Sequence, residues 1–271
     1  MMEFISSRNN PRIKEIRLLK NAKVRRQSGF CIVEGIWHFI EAVEAWKQGA
    51  YASLIRVFYS PNLLKSEIAL ETIQQVAHRG VPCFKVEESV FRSIAEKENP
   101  QGILAIVRLR QPTLEDLNVK EHSWLVGLVE PQDPGNVGTI LRTMDAVGAQ
   151  GLFLIDGGVD PFHPEITRAS MGAIFWIPTI QVSFQEMIDW AAFNEVTIYG
   201  TSAHAIKLYN EIPQFNKPCI LLLGNERQGL TEPQRQACHE LLRLPMSGRV
   251  SSLNIAIAAG VMLYYMQQKL S

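Results

Sequence analysis

Trp124-Leu125-Val126-Gly127-Leu128-Val129-Glu130-Pro131-Gln132-Asp133-Pro134-Gly135-Asn136-Val137-Gly138-Thr139-Ile140-Leu141-Arg142 holds a strand, a turn and the start of a helix. Leu125–Val129 is apolar at every position, without the alternation of a strand wetted on one face, so both of its faces are to be covered. The prolines break the strand, and Asn136 is placed to cap a helix over about Val137–Val147. The same texture continues downstream. Further strands are expected at Leu152–Ile155, Ile174–Thr179, Val196–Gly200, Ile220–Leu223 and Leu241–Leu244. Helices are expected at about Pro164–Gly172, Phe184–Phe193, Thr231–His239 and Ser252–Lys269. Ser252 is placed to cap the last of these, with Asn254 in its first turn. Doubly covered strands alternating with helices predict an α/β domain over residues 124–271, built on a mostly parallel sheet flanked by helices.

Upstream the texture differs. Residues 108–123 are polar, with Pro112 near their start, and read as a linker. Residues 1–107 read as a smaller α/β domain. It has N-terminal helices (Asn10 capping, Pro11 at the first position, an apolar stripe at Ile13, Ile16 and Leu19). A strand at Phe30–Val33, a helix at Ile36–Lys47, a strand at Leu54–Tyr59 and a helix at Ile68–His78 follow. Val81–Val86, Val90–Ala95 and Gly102–Val107 then give strand, helix and strand.

The 271 residues carry 46% hydrophobic and 20% charged side chains, with a mean hydropathy of +0.00. That excludes a disordered or collagen-like chain. Twenty-seven basic residues balance 27 acidic ones, but the first thirty residues hold eight basic against two acidic, a local +6. Arg8, Arg12, Lys14, Arg17 and Lys20 lie in this segment and are candidates for contact with nucleic-acid phosphates. Cys31, Cys83, Cys219 and Cys238 show no CxxC spacing, and the six histidines are scattered singly, so no metal site is expected. The N-terminus has no apolar signal core, and Asn254 interrupts the apolar run Leu253–Met266. A cytoplasmic protein without a membrane span is expected.

Several common chemistries lack their residues. No GxGxxG follows a strand, and there is no GxSxG elbow or HExxH pair. Gly224-Asn225-Glu226-Arg227-Gln228-Gly229 has phosphate-loop spacing, but Leu230-Thr231 replaces the required Lys-Ser/Thr and Glu226 would repel phosphate. What remains is three polar loops, each at the end of a strand: Glu130–Arg142, Leu222–Leu230 and Leu244–Asn254. Ligands of open α/β sheets bind at the carboxyl ends of strands, so this placement points to a site.

Together the three loops resemble the SpoU family of RNA 2′-O-ribose methyltransferases, in the SPOUT superfamily. The matching residues are Asn136-x-Gly138-x3-Arg142, Gly224-Asn225-Glu226-x2-Gly229, and Leu244-Pro245-Met246 followed by Ser252-Leu253-Asn254. The first domain resembles the substrate-binding domain that often precedes it, through Asn10-Pro11-x2-Lys14, Phe30-x2-Val33-Glu34-Gly35 and Asn99-Pro100-Gln101-Gly102.

The resemblance implies a deep trefoil knot, S-adenosylmethionine as methyl donor, no metal, and a homodimer through the C-terminal domain. For that dimer the final helix is a candidate, through Ile255, Ala258, Ala259, Met262, Leu263 and Met266. It implies Arg142, Asn136, Glu226, Ser252 and Asn254 as catalytic residues, and Thr201, Gly224, Leu244, Met246 and Leu253 as cofactor contacts. Glu226 either orients Arg142 or contacts RNA. The expected substrate is structured RNA, ribosomal in preference to transfer RNA. The competing readings are a base-directed methyltransferase of the same superfold and an RNA-binding protein without turnover.

Overall fold

A computed structural model describes residues 2–270. The chain forms two compact units, Met1–Arg110 with Phe162–Trp176, and Gln111–Pro161 with Ile177–Ser271.

The first unit is built on five strands: β1 (Phe4–Ile5), β2 (Phe30–Glu34), β3 (Ala52–Tyr59), β4 (Cys83–Val86) and β5 (Ile103–Leu109). Their order is β1-β4-β3-β5-β2, parallel through β3 and antiparallel beyond it. Asn10 caps helix Pro11–Leu18, its side chain accepting from the Arg12 amide, and Pro11 opens the helix where a missing N–H costs nothing. Ile13, Ile16 and Leu19 enter the core with Phe58, Phe91 and Ile106. Two-residue β1 carries too few side chains to be read from periodicity.

Phe162–Trp176 belongs to this unit, although its sequence reads as part of the second domain. The apolar run taken as a strand at Ile174–Thr179 is a 3-10 turn at Ala173–Phe175. It is apolar because it is buried in the first unit: Phe175 is fully buried, and its carbonyl accepts from the Tyr51 amide at 3.0 Å. Pro178, which has no N–H, precedes the strand proper.

The second unit is a seven-stranded, all-parallel sheet: β6 (Trp124–Val129), β7 (Gly151–Ile155), β8 (Thr179–Val182), β9 (Thr197–Thr201), β10 (Lys207–Leu208), β11 (Cys219–Leu223) and β12 (Glu240–Arg243). The order is β10-β12-β9-β11-β6-β7-β8. β6, β7 and β11 are buried at every residue, as continuous apolar runs require. Residues 108–123 do not form a free linker: Arg108 and Leu109 complete β5, and Leu117 is buried in the second unit's core. Burial pushes the thiols of Cys219 and Cys238 up to about 12, which leaves them protonated and unreactive. Among the described residues no helix is long and apolar enough to cross a membrane.

Candidate active site

β12, β9, β11 and β6 are neighbours and parallel, so Arg243, Thr201, Leu223 and Val129 end on one edge of the sheet. β11 enters late in the chain between β6 and β9, with Leu221 opposite both Val126 and Tyr199. Strand order reverses there, and in open α/β sheets the reversal leaves a crevice outside the carboxyl ends.

The turn leaving β11 is tightly folded. The Asn225 Oδ1 accepts from the amides of Arg227 at 2.9 Å and Gln228 at 3.3 Å. The Gly229 amide donates to the Asn225 carbonyl at 2.8 Å. A Cβ at Gly224 would sit 2.2 Å from the Gly229 carbonyl carbon and 2.3 Å from the Leu230 nitrogen, so no side chain fits. This turn walls a cleft of about 370 Å³, closed by Thr201 and Ser202 after β9 and by Leu244, Met246 and Ser251–Leu253 after β12. The volume suits a ligand of nucleoside size, and the lining mixes polar and charged residues such as His204, Glu226 and Arg235 with apolar ones.

The loop after β6 is sewn to that turn. The Asn225 Nδ2 donates to the Glu130 carbonyl at 3.1 Å, and the Gln132 amide donates to both Glu226 oxygens at 3.2 and 3.3 Å. Glu130 is left-handed, at φ 43°. The third loop is tied to the first by Asn254 Nδ2, which donates to the Asn136 Oδ1 at 3.0 Å.

Two caps differ from those expected. Asp133, not Asn136, caps helix Pro134–Val147, because the helix starts at Pro134 and places Asn136 inside its first turn. Asn254, not Ser252, caps Ile255–Lys269, its Oδ1 accepting from the amides of Ala256 and Ile257. The first shift leaves the Asn136 Oδ1 free for the contact between loops, and the capping Asn254 still has its Nδ2 to make it.

Of the expected site residues, Thr201, Gly224, Glu226, Leu244, Met246, Ser252 and Leu253 line the cleft together. Asn136 and Asn254 form the pair beside it, and neither they nor Arg142 line the cleft itself. Arg142 is exposed and has no hydrogen-bond or ion-pair partner among the described residues. Glu226 is therefore committed to the Gln132 amide and does not pair with Arg142. Asn225 and Gln132 were not singled out from sequence; Asn225 stood inside a quoted motif with no role.

The basic N-terminal segment proves partly structural. Arg12 pairs with Glu3 at 2.9 Å and lies 4.5 Å from the Phe84 ring centroid. Arg17 donates to the Arg8 carbonyl and to the Ser93 hydroxyl, and Arg8 to the Ser89 carbonyl. Arg25 is buried, closing the preceding turn through the Leu19 and Lys20 carbonyls. Lys14, Lys20 and Lys23 are exposed, and no side-chain partner is seen for them among the described residues.

Comparison with known proteins agrees with this arrangement. The SpoU rRNA methylase family matches residues 123–264, and an MRM3-like substrate-binding domain matches residues 10–105. The chain is 30% identical to the 23S rRNA (guanosine(2553)-2′-O)-methyltransferase RlmP of Bacillus subtilis, covering 98% of this chain and 100% of the relative. It is 31% identical to a 23S rRNA (uridine(2479)-2′-O)-methyltransferase of Streptomyces viridochromogenes, covering 96% of this chain and 90% of that one. The crystal structure of an AdoMet-bound rRNA methyltransferase from Sinorhizobium meliloti superposes with a TM-score of 0.88 at 32% identity, covering 98% of each chain. The fold, the three loops and these likenesses together make the chain a member of the SpoU rRNA methylase family.

Proposed function

We propose that this protein methylates a ribose 2′-hydroxyl of ribosomal RNA, with S-adenosylmethionine as donor, in the cytoplasm. The observation that carries the reading is that the turn after β11 and the loop after β12 wall one cleft, with the distant loop after β6 hydrogen-bonded to both of them beside it.

The cleft fits the donor. The Gly224–Gly229 turn, folded onto its own backbone with no room for a side chain at Gly224, forms one wall, Thr201 adds a hydroxyl, and Leu244, Met246 and Leu253 supply apolar walls. Adenosylmethionine supplies an electrophilic methyl on a sulfonium when bound there. The chain's own task is alignment, and holding a nucleophile in line is worth about 7–11 kcal/mol of barrier. Arg142 carries a planar fork of N–H donors, which serves the flanking phosphate and the charge developing on the 2′-oxygen. Asn136 and Asn254 set the third loop against Arg142's helix. The segment after β12 is taken to thread the preceding loops as a trefoil knot. In support, Leu244, Met246 and Ser251–Leu253 face the same cleft as the β11 turn, while Gln267 on the final helix donates to the Val147 carbonyl at 3.2 Å.

The test is transfer of label from radioactive S-adenosylmethionine to unmodified ribosomal and transfer RNA. Alkali-resistant labelled dinucleotides from ribosomal RNA are expected. A labelled nucleobase would make the enzyme base-directed, label confined to transfer RNA would move the substrate, and binding without label would remove the activity.

Lys14, Lys20 and Lys23 are proposed to meet RNA phosphates. Changing all three to Ala should weaken RNA binding and flatten its salt dependence by about 0.7–0.9 per lost contact. Arg17→Ala should lower thermal stability instead, because Arg17 holds Arg8 and Ser93. An unchanged salt slope in the triple variant would remove these lysines from the interface.

A homodimer through the final helix is also proposed, but by a different face from the one expected. Ile255, Ala259, Met262, Leu263 and Met266 are buried within the unit, whereas Ile257, Val261 and Tyr264 are exposed at helical spacing. Ile257→Asp should convert a sedimenting dimer to a monomer. A wild-type chain that sediments as a monomer would end this part of the reading.

A further inference from the structure

The geometry points to Asn225 as a positioning residue for methyl transfer, holding the loop after β6 in register with the turn that walls the cleft; the inference rests on the methyl-transfer reading above. Its side chain has a different duty at each end. The Oδ1 accepts from Arg227 and Gln228 and so shapes the cleft turn. The Nδ2 crosses to the neighbouring loop and donates to the Glu130 carbonyl at 3.1 Å.

The target of that bond explains why it is needed. Glu130 is a non-glycine residue at φ 43°, a conformation that side chains disfavour and that persists only where its surroundings enforce it. Three hydrogen bonds converge on it. Its amide donates to the Ile155 carbonyl at 2.8 Å, and its carbonyl accepts from the Gln132 Nε2 at 2.8 Å as well as from Asn225. The next residue is held as well: Gly158 packs against Pro131, so closely that a Cβ there would lie 2.3 Å from the Pro131 oxygen. Of these contacts, only the one from Asn225 comes from the cleft turn. Residues 130–136 lead directly to Asn136, which Asn254 grips from the third loop. Slack at Glu130 is thereby passed to the pair that fixes Arg142's helix against the cleft.

The two ends of Asn225 can be separated chemically. Asn225→Asp keeps the acceptor and the turn but removes the donor, and sets a carboxylate against a carbonyl. Asn225→Ala removes both. Three measurements on the full-length protein are required: calorimetric affinity for S-adenosylmethionine, deuterium exchange over residues 130–136, and single-turnover methylation of unmodified 23S rRNA transcript. Asn225→Asp should bind S-adenosylmethionine within about threefold of wild type, exchange faster over 130–136, and methylate about ten- to a hundredfold more slowly. Asn225→Ala should lose affinity as well. Asn225→Asp methylating at the wild-type rate, or exchanging over 130–136 like wild type, overturns the proposal. So does a loss of S-adenosylmethionine affinity as large as that of Asn225→Ala, because the residue would then act only within the turn. An inert wild type, by contrast, overturns the methyl-transfer reading itself.

Discussion

Arg142→Ala is expected to reduce methyl transfer by about a thousandfold while leaving S-adenosylmethionine affinity within about threefold of wild type. The split follows from where the side chain stands. Arg142 does not line the cleft, so its loss removes no wall of the donor site. It is exposed and unpaired among the described residues, so its loss also breaks no ion pair and should move stability by less than about 0.5 kcal/mol. On the role proposed for it, what disappears is a planar fork beside the reacting ribose, where charge develops as the 2′-oxygen attacks. Arg142→Lys should recover little, because an ammonium keeps the charge without the paired donors. Calorimetry and single-turnover transfer on the same preparation decide the matter. Equal collapse of donor binding would mean that Arg142 shapes the cleft, and the role assigned to it would be wrong.

Where burial sets the residue pattern, the sequence alone revealed the elements. β6, β7 and β11 are apolar on both faces, and Asn10-Pro11 announces its helix start through a side-chain acceptor and a missing donor. Patterns failed where two structures satisfy the same composition. Residues 173–177 are apolar for either a strand or a buried turn, and only their long-range burial beside Tyr51 chooses the turn. Asn136 and Asp133 are both good caps, as are Ser252 and Asn254. The local signal tells neither that Asp133 will cap and leave Asn136 for the contact between loops nor that Asn254 will do both. Charge misled in a similar way. The +6 of the first thirty residues suggests one basic face, yet Arg25 is internal, Arg8 and Arg17 are occupied by neighbours far away in the chain, and Arg12 is held by nearby Glu3 and the distant Phe84 ring. The site residues were legible as motifs, but the contacts between loops were not. Asn225 and Glu130 are 95 positions apart, and their bond depends on β11 entering beside β6.

Gly224→Ala is expected to cost more at the donor site than any substitution of a side chain that lines it. The added methyl would lie 2.2 Å from the Gly229 carbonyl carbon, 2.3 Å from the Leu230 nitrogen and 2.7 Å from the Gly229 oxygen. All three are backbone atoms, which cannot rotate aside, so the turn itself must open. Opening it pulls on Leu230, which is buried in the second unit's core, and on the Asn225–Gly229 bridge. Overpacking of this kind costs about 1–3 kcal/mol of stability, and the displaced turn is the wall against which the donor would lie. A loss of S-adenosylmethionine affinity of at least about a hundredfold should follow, which amounts to about 2.7 kcal/mol. Gly229→Ala is the matched comparison. It has open space around its Cβ but a φ of +69°, so it should cost about 1–2 kcal/mol in backbone strain without moving the wall. If the two variants bound S-adenosylmethionine equally well, close approach at Gly224 would have no part in donor recognition, and the donor would have to rest on the loop after β12 instead.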